Sequence, residues 1–473
     1  MKKLLPLIFL VLPLTVFSQQ LKIAKGTIND SLAIAIEGEN NESFSLYVPT
    51  NFTMSKAWPV LFLFDMNGKS KSVISMFATA AEQEGYILAS SNNIKDTLSL
   101  SQNVLIANRM FNAVYEMIPI HKERTYVGGI GDGGRFATLL PTFIKDIRGV
   151  LSCGAAIANT EVLTRKSPFY FIGIAGRSDY NYRELLESKM ILDNLNFPNL
   201  LILFEGEHQW APMEEIAWAL RSFTLSEMAK GNVPKNDSLI TDYYESSLIK
   251  ANKLLYNDKP LLAENVLDNS IEVYNPLGDL DSLKISKKVL RRSKTYRSKK
   301  RLQDNFFLKE SLTKEDYGYY LEEDIFTYNY NNLGWWNFQM SELDKMDKSG
   351  NEFELRMSSR LRGFLNALIS DNINIISTNR EVDLEALNFL YQLKTITDPD
   401  SPENYLRVIS YSSQVEDYGT AIFYPEELLK TGYDNKEELY GLEHTALFRI
   451  TPEFNAMIAK YLKDARYDII EEQ

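Results

Sequence analysis

Cysteine and histidine are nearly missing from this 473-residue chain. A single cysteine, Cys153, excludes an internal disulfide, and with only His121, His208 and His444 beside it no zinc-type ligand cluster can be assembled. Basic excess is lacking too: 51 Lys+Arg stand against 63 Asp+Glu, a net charge of −12. A field of that sign repels polyanions, which excludes nucleic acid as the expected partner. After the first residues no segment approaches the roughly 20 apolar residues that a membrane span needs. What is present is 45% apolar and 24% charged residues. That composition excludes wholesale disorder, and the length allows roughly two to four domains.

The first residues combine Met1-Lys2-Lys3, an apolar run over 4–16, and the tail Val16-Phe17-Ser18. This three-part layout reads as a secretory signal peptide over residues 1–18, with Gln19 as the mature start. The apolar run is short for a span, and no cysteine follows it to accept a lipid. Export to a bacterial periplasm or beyond, without stable membrane insertion, is the expectation.

Residues 19–230 alternate short apolar strands with amphipathic helices, the pattern of an α/β layer fold. Strands are expected at 58–64, 86–90, 125–127, 149–152, 169–175 and 200–204. Their unbroken apolar character implies a mostly parallel sheet covered on both faces. Helices are expected at 103–117, where Leu105, Met110, Phe111, Val114 and Tyr115 form a stripe, and at 183–192.

Residues 231–473 change character, with Leu, Glu, Lys, Tyr and Asn at helical spacing, and are expected to be all-α. From Ser401 to Phe454, small residues such as Gly419, Ala421 and Gly432 among Tyr405, Tyr411, Leu428 and Leu429 resemble a degenerate tetratricopeptide-type helix pair. Such pairs stack into concave binding surfaces, although no clean period runs through 240–400 and ordinary helical packing fits equally. A basic run over 284–301, with Lys287, Lys288, Arg291, Arg292, Lys299 and Lys300 and no acid, has two readings. It is either a solvated helix face or a docking surface for acids, among them Glu322-Glu323-Asp324 of the same chain.

Chemistry concentrates where the strand at 125–127 runs into Gly128-Gly129-Ile130-Gly131-Asp132-Gly133-Gly134. Glycines at a strand-to-helix turn permit positive φ and close approach of helix to strand. A dinucleotide fingerprint needs an acidic ribose ligand about 20 residues on, which is not clear here. The turn instead suits a nucleophile elbow, G-x-S-x-G. Residues 40–230 then resemble the α/β-hydrolases, most of all secreted bacterial esterases of the polyhydroxybutyrate-depolymerase and feruloyl-esterase type. The loop after Phe64, with Asp65, Met66, Asn67 and Gly68, is similar to that family's oxyanion-hole loop. Phe171 to Asp179 resembles its acid loop, and Glu205-Gly206-Glu207-His208-Gln209-Trp210 its histidine loop. The order of elbow, acid and histidine is the one this fold requires.

The resemblance implies Asp179 and His208 as triad members and the amides of Asp132, Met66 and Asn67 as oxyanion or substrate contacts. It departs at the apex, because Gly131 stands where the serine belongs, and glycine has no group to attack a carbonyl. The implied product is an esterase-like scaffold that binds without cleaving. Alternatives stay open. Asp132 is either a substitute nucleophile or a first-turn helix carboxylate, and His208 with Asp179 is either a relic or an activator of water. Tyr170, Tyr180 and Tyr182 are core or pocket wall. No cofactor and no metal are expected, and the partner classes left open are a protein and a small acyl or aromatic ligand.

Overall fold

The computed structural model describes residues 23–34 and 42–467, and the expectation of a leader over 1–18 falls outside them. Eight strands form one sheet in the order β1-β2-β4-β3-β5-β6-β7-β8. These are β1 (Ile28–Ile34), β2 (Glu42–Tyr47), β3 (Trp58–Phe64), β4 (Ile87–Ser91), β5 (Ile120–Ile130), β6 (Gly149–Cys153), β7 (Tyr170–Gly176) and β8 (Asn199–Phe204). β3 to β8 pair in parallel, whereas β2 runs antiparallel to both β1 and β4. Every residue of β3, β4, β6 and β7 is buried, which is why those segments are continuously apolar or small. β1, at the edge, is half exposed and polar.

Parallel neighbours need crossovers, and four helices supply them: α1 (Ser70–Glu84), α2 (Leu100–Met117), α3 (Asp132–Phe143) and α4 (Tyr182–Leu195), while α5 (Met213–Ala229) follows the last strand and packs back on the sheet. Local chemistry sets their ends. Ser99 and Gln102 form a reciprocal capping box at the start of α2, and Gly85 ends α1 in the left-handed conformation. One sheet face packs Val73 and Phe77 of α1 with Leu220 and Phe223 of α5. The other packs Phe111 of α2, Phe136 of α3 and Leu185 of α4. Both faces are therefore closed, and the strand order with helices on both sides is the α/β-hydrolase arrangement.

The remainder is helical: α6 (Asp237–Tyr256), α7 (Pro260–Tyr274), α8 (Asp281–Arg292), α9 (Lys294–Thr327), α10 (Leu333–Asp347), α11 (Glu352–Thr378), α12 (Leu384–Thr397), α13 (Pro402–Gln414), α14 (Tyr418–Lys430), α15 (Lys436–Gly441) and α16 (Pro452–Leu462). The first apolar cluster does not stop at residue 230. Ala251 of α6, Leu267 and Tyr274 of α7, and Leu283 and Leu290 of α8 belong to the same cluster as α5 and the sheet. α7 also closes the open edge of the sheet. The Leu203 amide donates to Asn265 Oδ1 at 3.0 Å, and Asn265 and Asn269 donate to the Leu201 carbonyl at 2.8 and 2.9 Å. Side-chain amides thus satisfy backbone groups that an edge strand otherwise leaves unpaired. Two further clusters, one built around Trp336, Leu361 and Leu390, the other around Ile409, Leu428 and Phe454, hold α9 to α12 and α13 to α16.

The basic run meets acids on neighbouring helices rather than Glu322-Glu323-Asp324. Lys287 pairs with Asp268, Arg291 with Glu264 at 2.6 Å, and Lys299 with Asp258 and Glu352 at 2.8 and 3.1 Å. Asp324 is buried instead beneath Asn329, Asn332 and Trp336, all of which donate to it. No helix among the described residues is long and apolar enough to cross a membrane.

Candidate functional site

Three loops at the carboxyl ends of β5, β7 and β8 converge. β5 ends in Gly131, whose φ of 52° and ψ of −125° lie where residues with a Cβ are strained. Its amide donates to the Cys153 carbonyl at 2.9 Å, which ties the turn to β6. Two residues on, α3 passes so close to β3 that a Cβ on Gly133 would lie 2.0 Å from the Phe64 carbonyl oxygen. Glycine at 133 is thus a packing requirement, whereas glycine at 131 answers to the backbone twist alone. A Cβ built on Gly131 meets nothing nearer than His208 Nε2 at 3.5 Å.

His208 and Asp179 face each other across this apex. Nδ1 of the imidazole lies 3.2 Å from both carboxylate oxygens. Asp179 is buried to 1% exposure, and its Oδ1 also accepts from the Asn181 amide at 2.8 Å. Asn181 in turn donates to the Gly154 carbonyl at 2.7 Å, fixing the acid loop to the end of β6. A carboxylate held in this way orients the ring and leaves Nε2 directed at the apex, the geometry of a base and its orienting acid. Cys153 sits one residue from Gly154, but burial, with Asp179 adding to it, pushes its thiol up to about 12. It stays protonated and supplies no thiolate.

Of the amides that the resemblance assigns to an oxyanion, those of Asp132 and Met66 have no hydrogen-bond partner among the described residues. The Asn67 amide is engaged by Asp65 Oδ1 at 2.7 Å, part of a turn that also closes the Gly68 amide onto the Asp65 carbonyl. Asp132 occupies the first turn of α3, where the helix dipole favours a carboxylate. The three tyrosines separate. Tyr170 and Tyr182 are core residues at 6% and 3% exposure, while the Tyr180 ring lies against His208 with centroids 4.6 Å apart. Burial, with Asp179 and Asp132 nearby, raises the Tyr180 phenol above its ordinary value. His121 lies at the start of β5, at the opposite end of that strand from the Gly131 apex, and His444 is exposed on the helical region more than 200 residues after His208. No group of three or more His, Cys, Asp or Glu suited to a metal ion occurs among the described residues.

The long helices α9 and α11 lie over the acid and histidine loops, a placement with no local sequence signal. Arg360 donates to the Arg177 carbonyl at 2.6 Å and, through Nε and Nη2, to Glu310 at 2.8 and 2.6 Å. Lys314 reaches the Tyr180 carbonyl at 3.2 Å. Arg356 and Arg177 share Glu205, and Ser359 donates to Glu207 at 3.1 Å. Each of the two loops that carry the dyad is therefore gripped by side chains more than a hundred residues away.

No family model matches the chain, and no curated protein matches it either. Solved structures similar to its first half include Est1E from Butyrivibrio proteoclasticus, at 12% identity and a TM-score of 0.34 over 42% of this chain and 100% of that one. FphF, a fluorophosphonate-binding serine hydrolase of Staphylococcus aureus, is 13% identical with a TM-score of 0.36 over 42% of this chain and 99% of that one. A ferulic acid esterase is 15% identical with a TM-score of 0.33 over 41% and 94%. By its own strand order, crossovers and the position of its three convergent loops, the first half of this chain has the α/β-hydrolase fold.

Proposed function

We propose that this protein is a non-catalytic member of the esterase-like α/β-hydrolases, a binding protein whose elbow has lost its nucleophile. The observation that carries the reading is Gly131. The apex keeps the strained backbone of a nucleophile elbow and points its absent Cβ at His208 Nε2, 3.5 Å away, yet no hydroxyl is there to be activated. An assembled base and acid with free amides opposite is suited to hold an acyl or carboxyl group without forming a covalent intermediate. In this reading the protein is exported by its leader at 1–18, and the helical region recognises a partner. The pairing of the 13-residue helices α13 and α14 supports a tetratricopeptide-like end to that region.

A second reading is favoured by the intact His208–Asp179 contact: a carboxylic-ester hydrolase in which His208 activates water, or Asp132 attacks. Turnover of p-nitrophenyl acetate and butyrate by the native protein, Gly131→Ser and His208→Ala separates the two. The binding-protein reading expects an inert native protein and an active Gly131→Ser. Native turnover that disappears in His208→Ala overturns it.

A further inference from the structure

A second cavity, of about 500 Å³, opens between α5, α6 and α7 with β8 as its floor, and shares no residue with the Asp179–His208 site. That volume is within the usual range for small-molecule sites. Ile202, Leu203 and Val266 make an apolar base, and the half-buried indole of Trp218 forms a wall. Asn265 and Asn269 also line it, but their side chains are committed to the β8 backbone.

The polar groups are unbalanced. Lys250 is paired with both oxygens of the buried Glu215, at 2.7 and 2.8 Å. Arg221 spends Nη2 on Glu84 at 2.8 Å and stacks on Tyr243 with 3.7 Å to the ring centroid. Its Nε, without a hydrogen-bond partner among the described residues, is closed off by burial. The Trp218 indole N–H has no acceptor, and Lys253 makes no ion pair, among the described residues. Glu214, the unpaired carboxylate on the lining, is exposed at the rim. Among the charged groups facing inward, the carboxylate of Glu215 is taken by Lys250, whereas Lys253 and part of the Arg221 guanidinium are not taken, and the neutral Gln83 amide completes the lining.

The geometry points to a binding site for a small ring-bearing carboxylic acid, its ring on Trp218 over the apolar floor and its acid group towards the Arg221 guanidinium and Lys253. A flat ring recovers the exposed indole and aliphatic surface, and a carboxylate answers the donors with charge-assisted hydrogen bonds. An ammonium at the same place meets two cations, with the Glu214 carboxylate out at the rim.

Calorimetric titration of the full chain with benzoate, 2-naphthoate and indole-3-acetate tests this, with 2-naphthol as the uncharged counterpart. Ser246→Trp plugs the mouth and Lys253→Glu reverses the charge. Both positions are exposed, so far-ultraviolet circular dichroism should remain native. The expected result is saturable one-to-one binding of at least one of the acids, weakened about tenfold or more in each variant and in 2-naphthol, and kept in His208→Ala. Absence of saturable binding by all three acids overturns the inference. Binding that ignores Ser246→Trp and Lys253→Glu, or that vanishes in His208→Ala, overturns it too, the latter by placing the acid at the dyad. Because the dyad is not part of this cavity, these outcomes are independent of whether Gly131 disarms the elbow.

Discussion

Gly363 of α11 lies against Tyr180 so closely that a Cβ there would be 2.7 Å from Tyr180 Cδ1. Since the same ring rests on His208, the helical region reaches the histidine through a single aromatic intermediary. Gly363→Val forces the ring to move and is expected to cost about 1–3 kcal/mol by overpacking. Thermal unfolding measures that cost. In a Gly131→Ser background the same change should lower any esterase kcat more than it alters KM, because it displaces the base.

Gly131→Ser carries its own conformational cost. A φ of 52° with a ψ of −125° is a region for glycine, and a side chain placed there is expected to destabilise the fold by about 1–3 kcal/mol. Gly131→Ala should lose the same stability in urea unfolding while gaining no turnover, which isolates the hydroxyl from the strain.

The Arg360–Glu310 pair between α11 and α9 has both side chains almost wholly buried, at 4% and 1% exposure. Arg360→Ala leaves the buried Glu310 with Lys314, 3.3 Å away, as its remaining cation and should cost about 3 kcal/mol. The double change Arg360→Met with Glu310→Leu should recover only part of it, because it takes the carboxylate away from Lys314 as well. Chemical denaturation of the three variants provides the cycle.

Glu215 gives a pH dependence. Burial raises its carboxyl above the ordinary 4.5 despite the lowering pull of Lys250. The native state then holds this proton more tightly than the unfolded chain does, so the contribution to stability falls as pH rises from 4.5 through the raised native value and is level above it. Relative to Glu215→Gln, the native protein should lose unfolding free energy across that window, measured by urea midpoints between about pH 4 and pH 7.

The parts of the fold that the sequence discloses are those in which burial dictates composition. β3 is apolar throughout because both of its faces are covered, and Trp58 to Phe64 reads as a strand with its observed ends. β1 and β2 escape such reading, since Asp30 interrupts the apolar face of β1 and β2 sets Ser43 and Ser45 between Phe44 and Leu46 rather than forming an unbroken apolar run. The elbow, acid and histidine loops are disclosed by short motifs in a fixed order, and the structure places Gly131, Asp179 and His208 together. Nothing local foretells the grip of Arg356 on Glu205 or of Arg360 on the Arg177 carbonyl. Those bonds join residues about 150 and 180 positions apart, and an arginine on an amphipathic helix looks the same whether it meets water or a buried acid.

The Asn265 and Asn269 contacts to β8 also set a timetable for the nascent chain. β8 is complete at residue 204, but the amides that close its edge are not made until residue 269. At about 5–20 residues per second, synthesis leaves that edge open for roughly 3–13 s. Throughout that interval the Leu201 carbonyl and the Leu203 amide are available to strands of other newly made chains. Slow translation between 204 and 269 lengthens the exposure, and a ribosome that stalls there releases a product with an adhesive border rather than a smaller self-contained sheet.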